Sequence, residues 1–166
     1  MPTQLFDQCR LFDNLAPVQK AIVKHLFESV QECSGAVIFN QGDPAKDLYI
    51  VMDGEVLIQY KPDDGPLLTV TRVKKEGVVG WSAALGSPSY TSSGVCATGC
   101  TLLRVSGESL RGLCDEFPDT AELVLERLAA VIAKRVRNSH VQVVALLEQG
   151  LKPNMRKTLE ADRLFP

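Results

Sequence analysis

The sequence is poor in several things that would place a chain quickly. It has one tryptophan, Trp81, and two histidines among 166 residues. No stretch approaches the ~18 consecutive apolar residues of a membrane helix, which argues against a membrane protein. The opening "MPTQLFDQCR" has no basic segment followed by an apolar core, so no secretory leader is expected. Charge of either sign is not in excess: 18 basic and 20 acidic residues leave a net −2, where a general nucleic-acid surface needs a basic surplus. Five cysteines (Cys9, Cys33, Cys96, Cys100, Cys114) contain no CxxC pair. An odd count without metal-ligand spacing fits reduced thiols in a cytoplasm rather than a disulfide framework or a zinc site.

What is present is ordinary for one globular domain: 45% apolar and 23% charged residues. Apolar residues at Leu15, Val18, Ile22, Leu26 and Val30 follow a three-to-four spacing that predicts an amphipathic helix over 15–30. From Ala36 to Val105 the pattern changes to short β-type runs ("AVIF", "LYIVM", "EVLIQY", "LLTVTRV", "VV", "YTSSGVCA", "TLLRV") separated by turn signals. Asp53-Gly54 predicts a two-residue hairpin between "LYIVM" and "EVLIQY". Strands this short and this often interrupted predict an antiparallel roll or barrel.

Helical signals return after Ser106. "GESLRGLCDEF" predicts a short helix stopped by Pro118. Asp119 and Glu122 then form a capping pattern for a long helix over about 119–149, with Gly150 as its stop and Pro153 confirming the break. Within that helix Leu125, Ile132, Ser139 and Leu146 recur every seven residues, with Ala129, Val136 and Val143 between them. Such a seam predicts pairing with a second copy, giving a homodimer. From Ala121 to Ala133 the helix is apolar almost all round, so a face packed on its own domain is the other expectation.

Between the β runs and the helices stands "GVVGWSAALGSPSYTSS", residues 77–93. Two glycines three apart open a short helix whose first amides, near Ser82, Ala83 and Ala84, predict a seat for an anion. The stretch carries no charged residue at all. With the order helix, β-roll, short helix, long helix, the chain resembles the cyclic nucleotide-binding domain, the effector half of catabolite-activator-type regulators. The residues that carry the resemblance are "FNQGDPAKDLYIVMDGEVLI" (39–58), "EGVVGWSAAL" (76–85) and "LFDNL" (11–15). It spans about 11–149 and implies an α+β, mainly β fold: a double-stranded β-helix, jelly-roll-like, with an N-terminal helix and a long C-terminal helix.

The resemblance also implies a ligand site, formed by Gly80, Trp81, Ser82, Ala83, Ala84, Tyr90, Thr91 and Ser92. Ser139 of the long helix is implied to face the ligand across a dimer. The family's phosphate cassette has an acid for the ribose hydroxyl and an arginine for the cyclic phosphate. Here Trp81 stands for the acid and Tyr90 for the arginine; only Thr91, a hydroxyl, keeps its type. Hydrogen bonds to charged groups contribute ~1.5–3 kcal/mol each, so both losses together remove ~3–6 kcal/mol, or two to four decades of affinity. Two expectations stay open: Trp81 and Tyr90 fill the site as core, or the site holds a cyclic nucleotide weakly or another small anionic ligand. No other cofactor and no metal is expected.

The residues bear on other function classes as well. Only sixteen residues follow Gly150, too few for a helix-turn-helix and its supporting core, so direct DNA binding is not expected of 150–166. An effector fragment of a transcription regulator, without its DNA-binding part, is the corresponding alternative. A protein-interaction dimer module with a filled pocket is another. Gly80-Trp81-Ser82-Ala83-Ala84 approaches the G-x-S-x-G nucleophile elbow but lacks its last glycine, and a short-strand roll is the wrong scaffold for it. The chain is therefore expected to be a non-enzymatic regulatory module.

Overall fold

The computed structural model describes the backbone of residues 2–151, and the side chains of residues 4–135 with Arg137, Val144 and Leu147. Its elements in order are α1 (Pro2–Asp7), a 3-10 turn (Arg10–Phe12), α2 (Pro17–Lys24), strands β1 (Glu28–Glu32), β2 (Val37–Phe39), β3 (Asp47–Asp53), β4 (Val56–Tyr60), β5 (Leu68–Val73) and β6 (Val78–Val79), a second 3-10 turn (Trp81–Ala83), β7 (Ser93–Cys96), β8 (Cys100–Ser106), α3 (Gly107–Glu116) and α4 (Pro118–Leu151). The strands form two antiparallel four-stranded sheets, ordered β1-β8-β3-β6 and β2-β7-β4-β5. This is the expected jelly-roll-like architecture with flanking helices.

Alternation along β3 explains why "LYIVM" is apolar throughout. Leu48, Ile50 and Met52 point to the helices, while Tyr49 and Val51 point into the roll. A strand covered on both faces has no solvent side on which polar residues would alternate. The central partner β8 does the same, with Leu103 and Val105 toward the helices and Leu102 toward the roll. Two cores result. One fills the roll around Phe39, Tyr49, Val56, Val79 and Tyr90. The other lies between the first sheet and the helices, anchored by Phe6, Phe12 and Phe27 with ring centroids 4.9 to 5.6 Å apart. Phe6 and Cys9 are fully buried there although they precede the resemblance.

Three sequence expectations change. The helix predicted over 15–30 ends at Lys24, because residues 28–32 pair with Arg104 to Cys100 and place Val30 against the roll core. The spacing of Val30 continues the helical pattern by coincidence; the sheet edge offered by β8 decides its conformation. Asp53-Gly54 is a turn, with Gly54 at φ +89°, but it makes no hairpin. Asp53 pairs with Thr101 in one sheet and Val56 with Cys96 and Val73 in the other, so the turn carries the chain between sheets. Turn chemistry supplies the positive φ without dictating the partner. Finally, α4 begins at Pro118 itself, a residue suited to a first helical turn, and runs through Gly150 to Leu151.

The long helix lies on the roll by one stripe. Ala121, Val124 and Leu128 are buried and Val131 packs beside them. Arg127 fastens the helix to the entry turn, its guanidinium donating to the carbonyls of Leu11 (2.8 Å) and Asp13. Leu125 remains 39% exposed and Ala129 is exposed, on a flank turned away from the roll. The face packed on its own domain is therefore present, and the start of the heptad seam, Leu125 and Ala129, lies exposed beside it.

Candidate functional site

The segment after β6 is shaped by Gly80, which adopts φ +73°. A Cβ there would lie 2.8 Å from the Asp47 carbonyl oxygen, so only glycine fits this approach without a shift. The following turn is three residues long. The Ala83 and Ala84 amides donate to the Gly80 and Trp81 carbonyls, at 3.2 and 3.0 Å. Two of the amides expected to seat an anion, those of Ala83 and Ala84, are thereby engaged within the turn. Ser82 and Ala83 are buried, and Ala84 packs against the roll–helix core.

Tyr90 is a core residue of the roll. Its ring is 6% exposed and stacks on Phe39 with centroids 4.3 Å apart. Its hydroxyl donates to the Asp47 carbonyl (2.6 Å) and accepts from the Asp47 amide (3.0 Å). Burial pushes the phenol above its usual range, so it stays protonated and keeps donating. The Tyr90 amide and carbonyl are held in turn by Asp43 and Gly42. These four bonds fix the strand entrance on which Thr91 and Ser92 stand, and Ser93 adds a fifth by accepting from the Gln41 amide (2.8 Å).

Of the expected ligand residues, the structure brings Trp81, Thr91 and Ser92 together on one cavity of about 300 Å³. Ile58 and Val70 give it apolar walls, and Tyr60 and Thr71 add hydroxyls. Gly80, Ser82, Ala83, Ala84 and Tyr90 support this cavity without lining it. Ser139 falls on α4, but its side chain lies outside the described residues.

One lining residue has no counterpart in the sequence expectation. Arg135, from α4, is the only charged group on the cavity wall among the described residues. Its guanidinium carbon sits 5.7 Å from the Trp81 ring centroid, within cation–π range, and Nη1 donates to the Val78 carbonyl at 2.9 Å. Burial lowers its pKa, yet a guanidinium starts so high that it remains charged. The signal was legible. Val124, Leu128, Val131 and Arg135 are spaced four, three and four, so a cation occupies the helix stripe that faces the roll.

Comparison with known proteins agrees with this geometry. The model of the cyclic nucleotide-binding domain matches residues 30–117, more than half of the chain. The chain belongs to the cyclic nucleotide-binding domain family. It is similar to a CRP-like cAMP-activated global transcriptional regulator of Mycobacterium tuberculosis, 22% identical over 94% of this chain and 68% of that protein. In structure it is similar to a cyclic nucleotide-binding domain from Methylobacillus flagellatus, with TM-score 0.75, 17% identity, and coverage of 86% of this chain and 80% of that one. The Thermus thermophilus catabolite activator protein superposes with TM-score 0.67 at 27% identity, over 84% of this chain and 63% of that one. The chain is thus a cyclic nucleotide-binding-type regulatory domain similar to regulators of the CRP family. Among the described residues no helix is long and apolar enough to cross a membrane.

Proposed function

We propose that this domain is a non-enzymatic sensor whose altered pocket binds cyclic AMP and cyclic GMP weakly or not at all, and takes another small anion instead. The observation that carries this reading is the cavity wall. Four hydroxyl-bearing residues (Tyr60, Thr71, Thr91, Ser92) and one guanidinium favour an anion, while no carboxylate among the described residues lines the wall to hold a ribose diol. An indole stands at the rim with Arg135 stacked over it, leaving about 300 Å³ of space.

The domain extends over 11–149 in this reading, works in the cytoplasm with reduced thiols, and is a homodimer through α4, with no role for 150–166 in DNA reading. The exposed Leu125 and Ala129 supply the dimer flank. Because Arg135 belongs to the same helix, an anion that draws it from Trp81 and Val78 would bind two positions of α4 unequally, which is what a ligand must do to shift a population. The test uses Trp81 itself. Cyclic AMP and cyclic GMP are titrated against tryptophan emission, with calorimetry on the same sample. Silence at millimolar nucleotide is expected; saturation at micromolar nucleotide would overturn the reading and make the domain a conventional nucleotide sensor.

A further inference from the structure

On the far side of Arg135 lies a larger groove of about 760 Å³, between the β5–β6 turn and α4. Val73, Val78 and Val131 give it apolar ground, and its rim carries five cations against one carboxylate: Arg72, Lys74, Lys75, Lys134 and Arg135 against Glu76. Arg72 is paired with Glu55 at 3.2 Å, and Arg135 is bonded as described. Glu76 accepts the Arg10 amide at 3.1 Å. Lys74, Lys75 and Lys134 have no ion-pair partner among the described residues. In a chain of net charge −2, three such ammonium groups around one concavity form a local excess that no described residue pairs with.

The turn that presents two of them is rigid. Glu76 adopts φ +69°, held by its amide bond to the Val51 carbonyl (2.6 Å) and by the Val51 amide bond to the Gly77 carbonyl (2.9 Å). A Cβ on Gly77 would fall 2.2 Å from Val73 Cγ1, so the tight turn requires glycine. Lys74 and Lys75 therefore stand on a preorganised backbone, which lowers the ordering cost of binding. Lys134 follows Leu125 by nine residues, about 180° round the helix at roughly 100° per residue. The groove thus opens on the flank opposite the proposed dimer seam and stays accessible beside it.

We infer that this groove binds a compact metabolite carrying two or more phosphoryl groups, at a site that adjoins the cavity of Trp81 and shares Val70, Thr71 and Arg135 with it. Lysine ammonium groups act as point charges for phosphate, and three of them around one concavity suit several phosphoryl groups better than one. The volume falls in the small-molecule range of ~300–1,000 Å³. A nucleic acid would need a longer basic track than this near-neutral chain offers. Bound phosphoryl groups spanning Lys74, Lys75 and Lys134 tie the β5–β6 turn to α4.

Sodium tripolyphosphate is the probe, followed by calorimetry at constant ionic strength with orthophosphate for comparison. Saturable binding in the micromolar range is expected, at least tenfold tighter than orthophosphate. The double variant Lys74→Gln/Lys75→Gln and the single Lys134→Gln should each weaken it tenfold or more, whereas Lys61→Gln, outside the groove, should not. No saturable heat up to millimolar tripolyphosphate overturns the inference, as does binding that survives these substitutions or falls equally in Lys61→Gln. Preference for a glutamate-rich peptide over tripolyphosphate would overturn it too, by assigning the groove to a protein partner. None of these results depends on whether cyclic nucleotides enter the neighbouring cavity.

Discussion

Replacing Tyr90 by phenylalanine isolates what one hydroxyl contributes to the site. The ring and its stack on Phe39 remain, and only the two bonds to the Asp47 backbone disappear. A buried polar group left without a partner costs ~1–3 kcal/mol. Asp47 is half-buried, so water can reach part of the vacated space, and a combined loss of about 2–4 kcal/mol follows for the amide and carbonyl. For a chain of this size that corresponds to a drop in Tm of roughly 4–16 °C. Urea unfolding followed by Trp81 emission, at matched protein concentration, should show a lower midpoint with an unchanged m-value. A loss under about 0.5 kcal/mol would refute the reasoning, because water would then be replacing the hydroxyl at no cost. The companion substitution Tyr90→Arg tests the orientation of position 90. The side chain there is turned into the core, so an arginine buries an unpaired charge, destabilises the domain more than phenylalanine does, and creates no tight site for cyclic AMP.

Three further predictions concern the helix and the thiols. Leu125→Asp and Ile132→Asp should each weaken self-association in sedimentation velocity; a wild-type protein that is monomeric throughout would remove the dimer from the account. Burial pushes the Cys9 thiol up to about 11 and the Cys96 thiol up to about 12, while Cys33 and Cys114 are exposed. At pH 8 iodoacetamide should therefore label Cys33 and Cys114 first, as mass spectrometry of the time course would show. Thiols raised in the folded state contribute stability that is complete below the unfolded pKa near 9 and is lost as pH rises toward 11–12. Stability that stays flat between pH 8 and 10.5 would contradict that burial.

Much of the architecture was legible because it is written in local chemistry. Two-sided burial made β3 continuously apolar, Ser106 caps α3 by accepting the Ser109 amide, and Pro118 starts a helix as readily as it stops one. The family could be seen in the spacing of glycines and strands over 39–58. The aromatic identity of positions 81 and 90 could be read directly as well.

What local pattern left undecided was which surface each side chain joins. Val30 satisfied a helical spacing, but the strand edge at Leu102, 72 residues away, captured it. Asp53-Gly54 had the chemistry of a hairpin, but β3 paired with β8 in one sheet and β4 with β5 and β7 in the other. Tyr90 and Trp81 looked equivalent as aromatic replacements. The fold turned the first into the core, where its hydroxyl meets Asp47, and left the second at the rim under Arg135. The sequence by itself determined that residues 77–93 carry no charge. Only tertiary packing decided that a charge reaches the cavity from a helix more than 40 residues further along, because Arg135 lies on the stripe of α4 that faces the roll.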